Sequence, residues 1–122
     1  LYENLKIENF SVFPGSELKL LKGLELGCEG IITATCNVTA SISRKVYDDF
    51  SKNEKQTTNE MLCNVRRVFD QFNLISGLHS FMSNENEIYK NVLPPISLLN
   101  KKDKKKLSED LNKLNFKIET LK

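Results

Sequence analysis

Apolar residues along this chain change their spacing several times, and each change marks a predicted element. Phe10-Ser11-Val12-Phe13 alternates apolar and polar positions and runs into Pro14-Gly15, which predicts a short strand ending at a turn. A helix is predicted next. Ser16 offers an acceptor to the free amides of its first turn, Glu17 sets negative charge against the positive end of the helix dipole, and Gly27 is the stop. Leu20, Leu21 and Leu24 make its apolar stripe. Gly30-Ile31-Ile32-Thr33-Ala34 is apolar and β-branched, which predicts a buried strand, and Asn37-Val38-Thr39 opens another helix. Two strands joined by a helix run parallel, because a crossover of this length cannot form a hairpin, and a right-handed connection is expected.

The remaining pattern is helical. Leu1, Tyr2 and Leu5 fit the tail of a preceding helix, with Lys6 to Asn9 as its connection. Ile42, Val46 and Phe50, with Tyr47 alongside, predict a helix over 41–51, and the polar run Ser51-Lys52-Asn53-Glu54-Lys55-Gln56 predicts a boundary. Thr57 and Glu60 fit a capping box for a long helix carrying Met61, Val65, Val68, Phe69, Phe72 and Ile75, which Gly77 is expected to end. Leu78 to Met82 then reads as a short further turn of helix, and Ser83 to Asn86 as loop. Pro94-Pro95 predicts an extended link, and Asn100 with Asp103 caps a last helix with Leu107, Leu111, Leu114, Ile118 and Leu121 at three- and four-residue steps. No internal repeat is present.

The run FPGSE, a helix, and then ELGCEGIITATCNV resembles the seventh and eighth strands of the dihydrodipicolinate synthase and N-acetylneuraminate lyase family. The resemblance implies an α/β fold: the C-terminal part of a (β/α)8 TIM barrel, last two strands with their helices over 1–52, then a helical subdomain over 53–122. Helix predominates by residue count in this reading. A whole barrel takes about 250 residues, against 122 here opening on Leu1, so the chain is expected to be a fragment. Family members are class I aldolases or lyases in which a lysine forms a Schiff base with pyruvate. By the same resemblance that lysine, on the sixth strand, and the proton-relay tyrosine, on the fifth, fall upstream of Leu1. No lysine or tyrosine of this chain replaces them, so the fragment alone is expected to be inactive.

What the resemblance places here is substrate-binding pocket wall: Gly15, Ser16, Glu17 and Ile32. Glycine at the carboxyl end of a barrel strand lets backbone approach a ligand, whereas the plain alternative is a turn glycine. Ser16 and Glu17 are read either as groups meeting the second substrate's hydroxyls, carboxylate or amine, or as an N-cap pair. Ile32 matches the family position whose backbone carbonyl faces pyruvate, and its side chain is compatible with a core role. Thr33, Thr35 and Asn37 alternate at the strand mouth, serving either the site or turn and cap duty. The implied substrates are pyruvate and an aldehyde, with no metal or organic cofactor, in a homo-oligomer. Ser16-Glu17 stands where the synthases typically carry Asp-Asp, which leaves keto-deoxy sugar acid aldolase and N-acetylneuraminate lyase open.

Composition narrows the rest. With 39% apolar and 28% charged residues and a net charge of +2, the chain is ordinary for a globular protein and gives no electrostatic reason to bind nucleic acid. It contains neither an apolar run near 20 residues nor a basic-then-apolar leader, so no membrane span or signal peptide is predicted and the cytoplasm is the expected compartment. Cys28, Cys36 and Cys63 lack zinc spacing and read as reduced thiols. Asn37-Val38-Thr39 matches a glycosylation sequon but is read as a helix cap. His79 lacks a carboxylate or serine at suggestive spacing and reads as packing. Lys101-Lys102 and Lys104-Lys105-Lys106 read as a solvated helix face, because acidic residues interrupt them. Two other classes stay open: a helical self-association or partner-binding module over the last 70 or so residues, and a weak nucleic-acid binder through the lysines.

Overall fold

The computed structural model describes residues 10–118. The readings for Leu1 to Asn9 and for Leu121 lie outside them. The chain divides between Cys63 and Asn64 into two compact units.

In the first unit Ser16 is extended and its Oγ accepts from the Leu18 amide at 3.3 Å, so the predicted cap forms. A 3-10 turn, Glu17–Lys19, leads into α1 (Leu20–Glu25). Gly27 (φ +95°) ends this helix as expected: its amide bonds Leu24 O at 3.0 Å and the Cys28 amide bonds Gly23 O at 2.8 Å, the paired closure that a left-handed residue permits. Next, α2 spans Cys36–Ser51 and packs on α1. The buried cluster is Leu20, Leu24, Val46 and Leu62, with Leu21, Ile31, Ile42 and Tyr47 packed against it. Each fully buried leucine or valine contributes about 1.5–3 kcal/mol.

The predicted strands are not regular strands. Glu29 N–H bonds Val12 O and Ile32 N–H bonds Pro14 O, both at 3.2 Å, so the two segments do run parallel. Three residues advance on one side against two on the other, and the extra residue interrupts the ladder as a bulge does. Gly30, at φ +157°, lies inside that interruption, and Pro14 has no N–H to donate back. Among the described residues there is helix and irregular chain, with no strand.

Helix α2 begins one residue before the predicted entry at Asn37 and ends at Ser51, so it includes the whole of the 41–51 apolar stretch. Val46 is fully buried, while Phe50 is 37% exposed. The inward face is partly polar, with Thr39, Ser43 and Asp49 buried beside Val38 and Val46. Asp49 pairs with Lys45 through Oδ1, and Thr57 Oγ1 donates to its Oδ2 at 3.1 Å. The Thr57 hydroxyl proton is thus committed to Asp49. The next helix, α3 (Asn59–Phe69), starts two residues past Thr57, its first turn closed by Leu62 N–H on Thr58 O at 2.9 Å.

In the second unit, α3 ends at Phe69 and α4 (Leu74–Met82) begins anew, with Asn73 Oδ1 accepting from the Ser76 amide at 3.0 Å. Gly77 does not stop the long helix; it lies buried inside α4, and a Cβ there would stand 3.5 Å from Phe69 Cδ1. The stop comes earlier because the Asp70–Phe72 turn and the Asn73 cap restart the chain. Ile75 then lies outside the buried stripe, 44% exposed. A 3-10 turn, Glu87–Lys90, and an irregular link with a cis Pro94–Pro95 bond lead to α5 (Lys101–Lys113). Asn100 Oδ1 accepts from the Asp103 amide at 2.8 Å, which is the predicted cap. Leu107 and Leu111 are buried, and Phe69, Phe81 and Phe116 form a ring cluster with centroids 5.8 and 5.9 Å apart. The lysines of α5 pair along their own helix, Lys105 with Glu109 and Lys106 with Asp110.

Candidate functional site

The parallel bonding of the two irregular segments sets Gly15 beside Ile32. A Cβ at position 15 would lie 3.9 Å from the Ile32 carbonyl oxygen. Gly15, unlike Gly27 and Gly30, does not have a positive φ. A left-handed φ is therefore not the reason for glycine here. What its missing side chain provides is open space in front of a carbonyl. Ile32 has its side chain outward, 73% exposed, and the core role falls to its neighbour Ile31.

Behind this rim lies Glu17, fully buried. Thr33 Oγ1 reaches its Oε1 at 2.8 Å and Thr39 Oγ1 at 3.1 Å, and the Thr35 hydroxyl bonds the same oxygen. Thr33 and Thr35 are also 2.8 Å apart, and Thr39 is 3.0 Å from the Thr35 carbonyl. Each hydroxyl has one proton, so Thr33 shares its donation between Glu17 and Thr35, and Thr39 between Glu17 and the backbone. Donation to a buried carboxylate meets its need for partners away from water. Ser43 extends the group at 3.5 Å from Thr39, with Cys36 Sγ 3.6 Å from Ser43. The carboxylate sits at the first turn of α2, where the helix dipole favours negative charge.

Of the residues singled out in the sequence, Gly15 and Ile32 meet at the rim with Ser16 half-exposed beside them, while Glu17, Thr33 and Thr35 meet beneath it. Asn37 turns away, its amide donating to Ala34 O at 2.8 Å. Thr39, a sequon and cap residue by sequence, joins the group beneath the rim because α2 packs on α1, a contact that no local spacing signals. His79 belongs to the second unit, where Nδ1 contacts Tyr89 O at 2.8 Å. The described part of Cys28, Cys36 and Cys63 forms no disulfide, and no helix among the described residues is long and apolar enough to cross a membrane.

The two parallel segments are bridged by α1, and Gly15 and Ile32 stand side by side where they pair. The model of the dihydrodipicolinate synthetase family matches residues 2–114, nearly the whole chain, and the chain belongs to that family. Membership implies a (β/α)8 barrel as the parent fold and a class I aldolase-type function at family level. No curated protein matches the chain.

Proposed function

We propose that this chain is the C-terminal pocket-wall segment of a Schiff-base aldolase or lyase acting on pyruvate and an aldehyde. In that reaction a lysine amine upstream of Leu1 condenses with the pyruvate ketone and releases water. The iminium gives up a methyl proton to form an enamine, whose carbon attacks the aldehyde carbonyl, and hydrolysis returns the amine. The cleavage direction is the reverse. Gly15, Ser16 and Ile32 form the wall, with the Ile32 carbonyl facing the pyruvate moiety across the space that Gly15 leaves open. The protein works as a cytoplasmic homo-oligomer in this reading.

The observation that supports it is the neighbourhood itself: the parallel pairing sets Gly15 beside Ile32, with a Cβ at 15 lying 3.9 Å from the Ile32 carbonyl oxygen. Borohydride trapping with pyruvate should leave the 122-residue chain unlabelled and label a lysine outside it in the full-length protein. Gly15→Val should keep the fold and abolish activity of the full-length protein. Labelling of a lysine within this chain, or full activity in Gly15→Val, would count against the proposal.

A further inference from the structure

Glu17 is fully buried, and its partners come from three places in the chain: Thr33 on the segment that carries Ile32, Thr35 at the start of α2, and Thr39 one turn inside it. Glu17 itself stands two residues after Gly15. A carboxylate whose Oε1 takes these hydroxyls is spatially committed to the protein interior. We infer that Glu17 is a positioning residue which, through Thr33, Thr35 and Thr39, holds the Ile32 carbonyl against Gly15, and that it does not contact the second substrate. The inference rests on the proposed pocket-wall role for its link to catalysis, but its geometric content stands apart from it.

Among the described residues two backbone hydrogen bonds join the two segments, and one residue bulges between them. So short a ladder leaves the register weakly specified by the backbone. The threonine–carboxylate group ties the same segments by side chains one residue beyond each rim position: Glu17 past Ser16, and Thr33 past Ile32. Thr33 is adjacent in sequence to the carbonyl it would place. Thr35 and Thr39 anchor the carboxylate to α2, whose Val46 lies in the buried cluster, so the rim is referred to the core of its own unit.

The test reads the rim directly. Ile32 donates its amide to Pro14 O, so hydrogen exchange at Ile32 reports the pairing, while Val46 in the interior of α2 reports the unit as a whole. In the 122-residue chain, Glu17→Ala should lower protection at Ile32 about tenfold or more with Val46 unchanged, because it removes the acceptor of several hydroxyls at once. Glu17→Gln keeps one acceptor oxygen in place and should restore protection to within a few-fold of the parent. If Glu17→Ala unfolds the unit, shown by loss at Val46, then Thr33→Val decides: it deletes one hydroxyl at a half-buried site and should still lower protection at Ile32 selectively. Unchanged protection at Ile32 in Thr33→Val and in a folded Glu17→Ala overturns the inference.

In the full-length protein, Thr33→Val should raise the KM for pyruvate and leave the KM for the aldehyde alone, with Glu17→Gln close to the parent. A carboxylate that touched the second substrate would instead raise the aldehyde KM in Glu17→Gln and leave Thr33→Val silent, and that pattern also overturns the inference. If the unsubstituted protein has no aldolase activity, the proposed function fails while the exchange result still decides this point.

Discussion

Replacing Gly77 tests the placement of α4 with two variants of opposite sign. Gly77 lies inside the helix, and a Cβ added there meets Phe69 Cδ1 at 3.5 Å and Phe72 Cβ at 3.9 Å, both ordinary contact distances. Gly77→Ala therefore adds a methyl without a clash and recovers the helix propensity that glycine forgoes, about 0.8–1.0 kcal/mol. With a urea dependence of about 1–2 kcal/mol per molar, the midpoint should rise by about 0.5–1 M. Gly77→Val extends two further carbons toward a ring that is fully buried and set edge-on to Phe81 at 5.8 Å. Overpacking of that kind costs about 1–3 kcal/mol, and valine adds little helix propensity to offset it, so this variant should fall below the parent. The chain has no tryptophan, so far-UV circular dichroism in urea is the natural assay. A drop in stability for Gly77→Ala, or a valine variant as stable as the alanine one, refutes the packing argument.

Two further outcomes follow from other positions. Gly27→Ala puts an L residue at φ +95° on an exposed turn and should destabilise the first unit by about 1–2 kcal/mol, with Gly27→Asn milder, as read by the same denaturation. The Lys45 ammonium bonded to Asp49, helped by the Thr57 hydroxyl, holds the Asp49 carboxyl below its usual range. A depressed folded-state value means that the ionised group stabilises the fold fully above the unfolded pKa of about 3.9, and that this contribution disappears as pH falls through the lower folded value. Asp49→Asn should thus be less stable than the parent at pH 7, with the gap closing in acid. A gap that stays constant with pH would show that the charge of Asp49 is not what Thr57 and Lys45 hold.

Local chemistry made several features readable from residue order. The Ser16 and Asn100 caps and the Gly27 stop each depend on groups within a few residues of one another and form as read, whereas the Leu107 stripe is helical only through Leu111, because α5 ends at Lys113 and Asn115 takes a left-handed φ of +53° before Ile118. The direction of the two segments around α1 was also legible, because a crossover of that length leaves no antiparallel option. Gly77 was misread because a glycine near the end of an apolar stripe looks the same whether it closes a helix or makes room for a ring. The position of Phe69 settles that, and it is a distant contact.

The same division runs through the candidate site. Family pattern was enough to single out Gly15 and Ile32, but only the fold makes them neighbours, with a Cβ at 15 lying 3.9 Å from the Ile32 carbonyl oxygen. Glu17 offered two readings along the chain, cap or substrate ligand. Its burial among threonines 16 to 22 positions away comes from α2 folding back over the start of α1, and spacing along a chain carries no information about which side chains such a fold encloses.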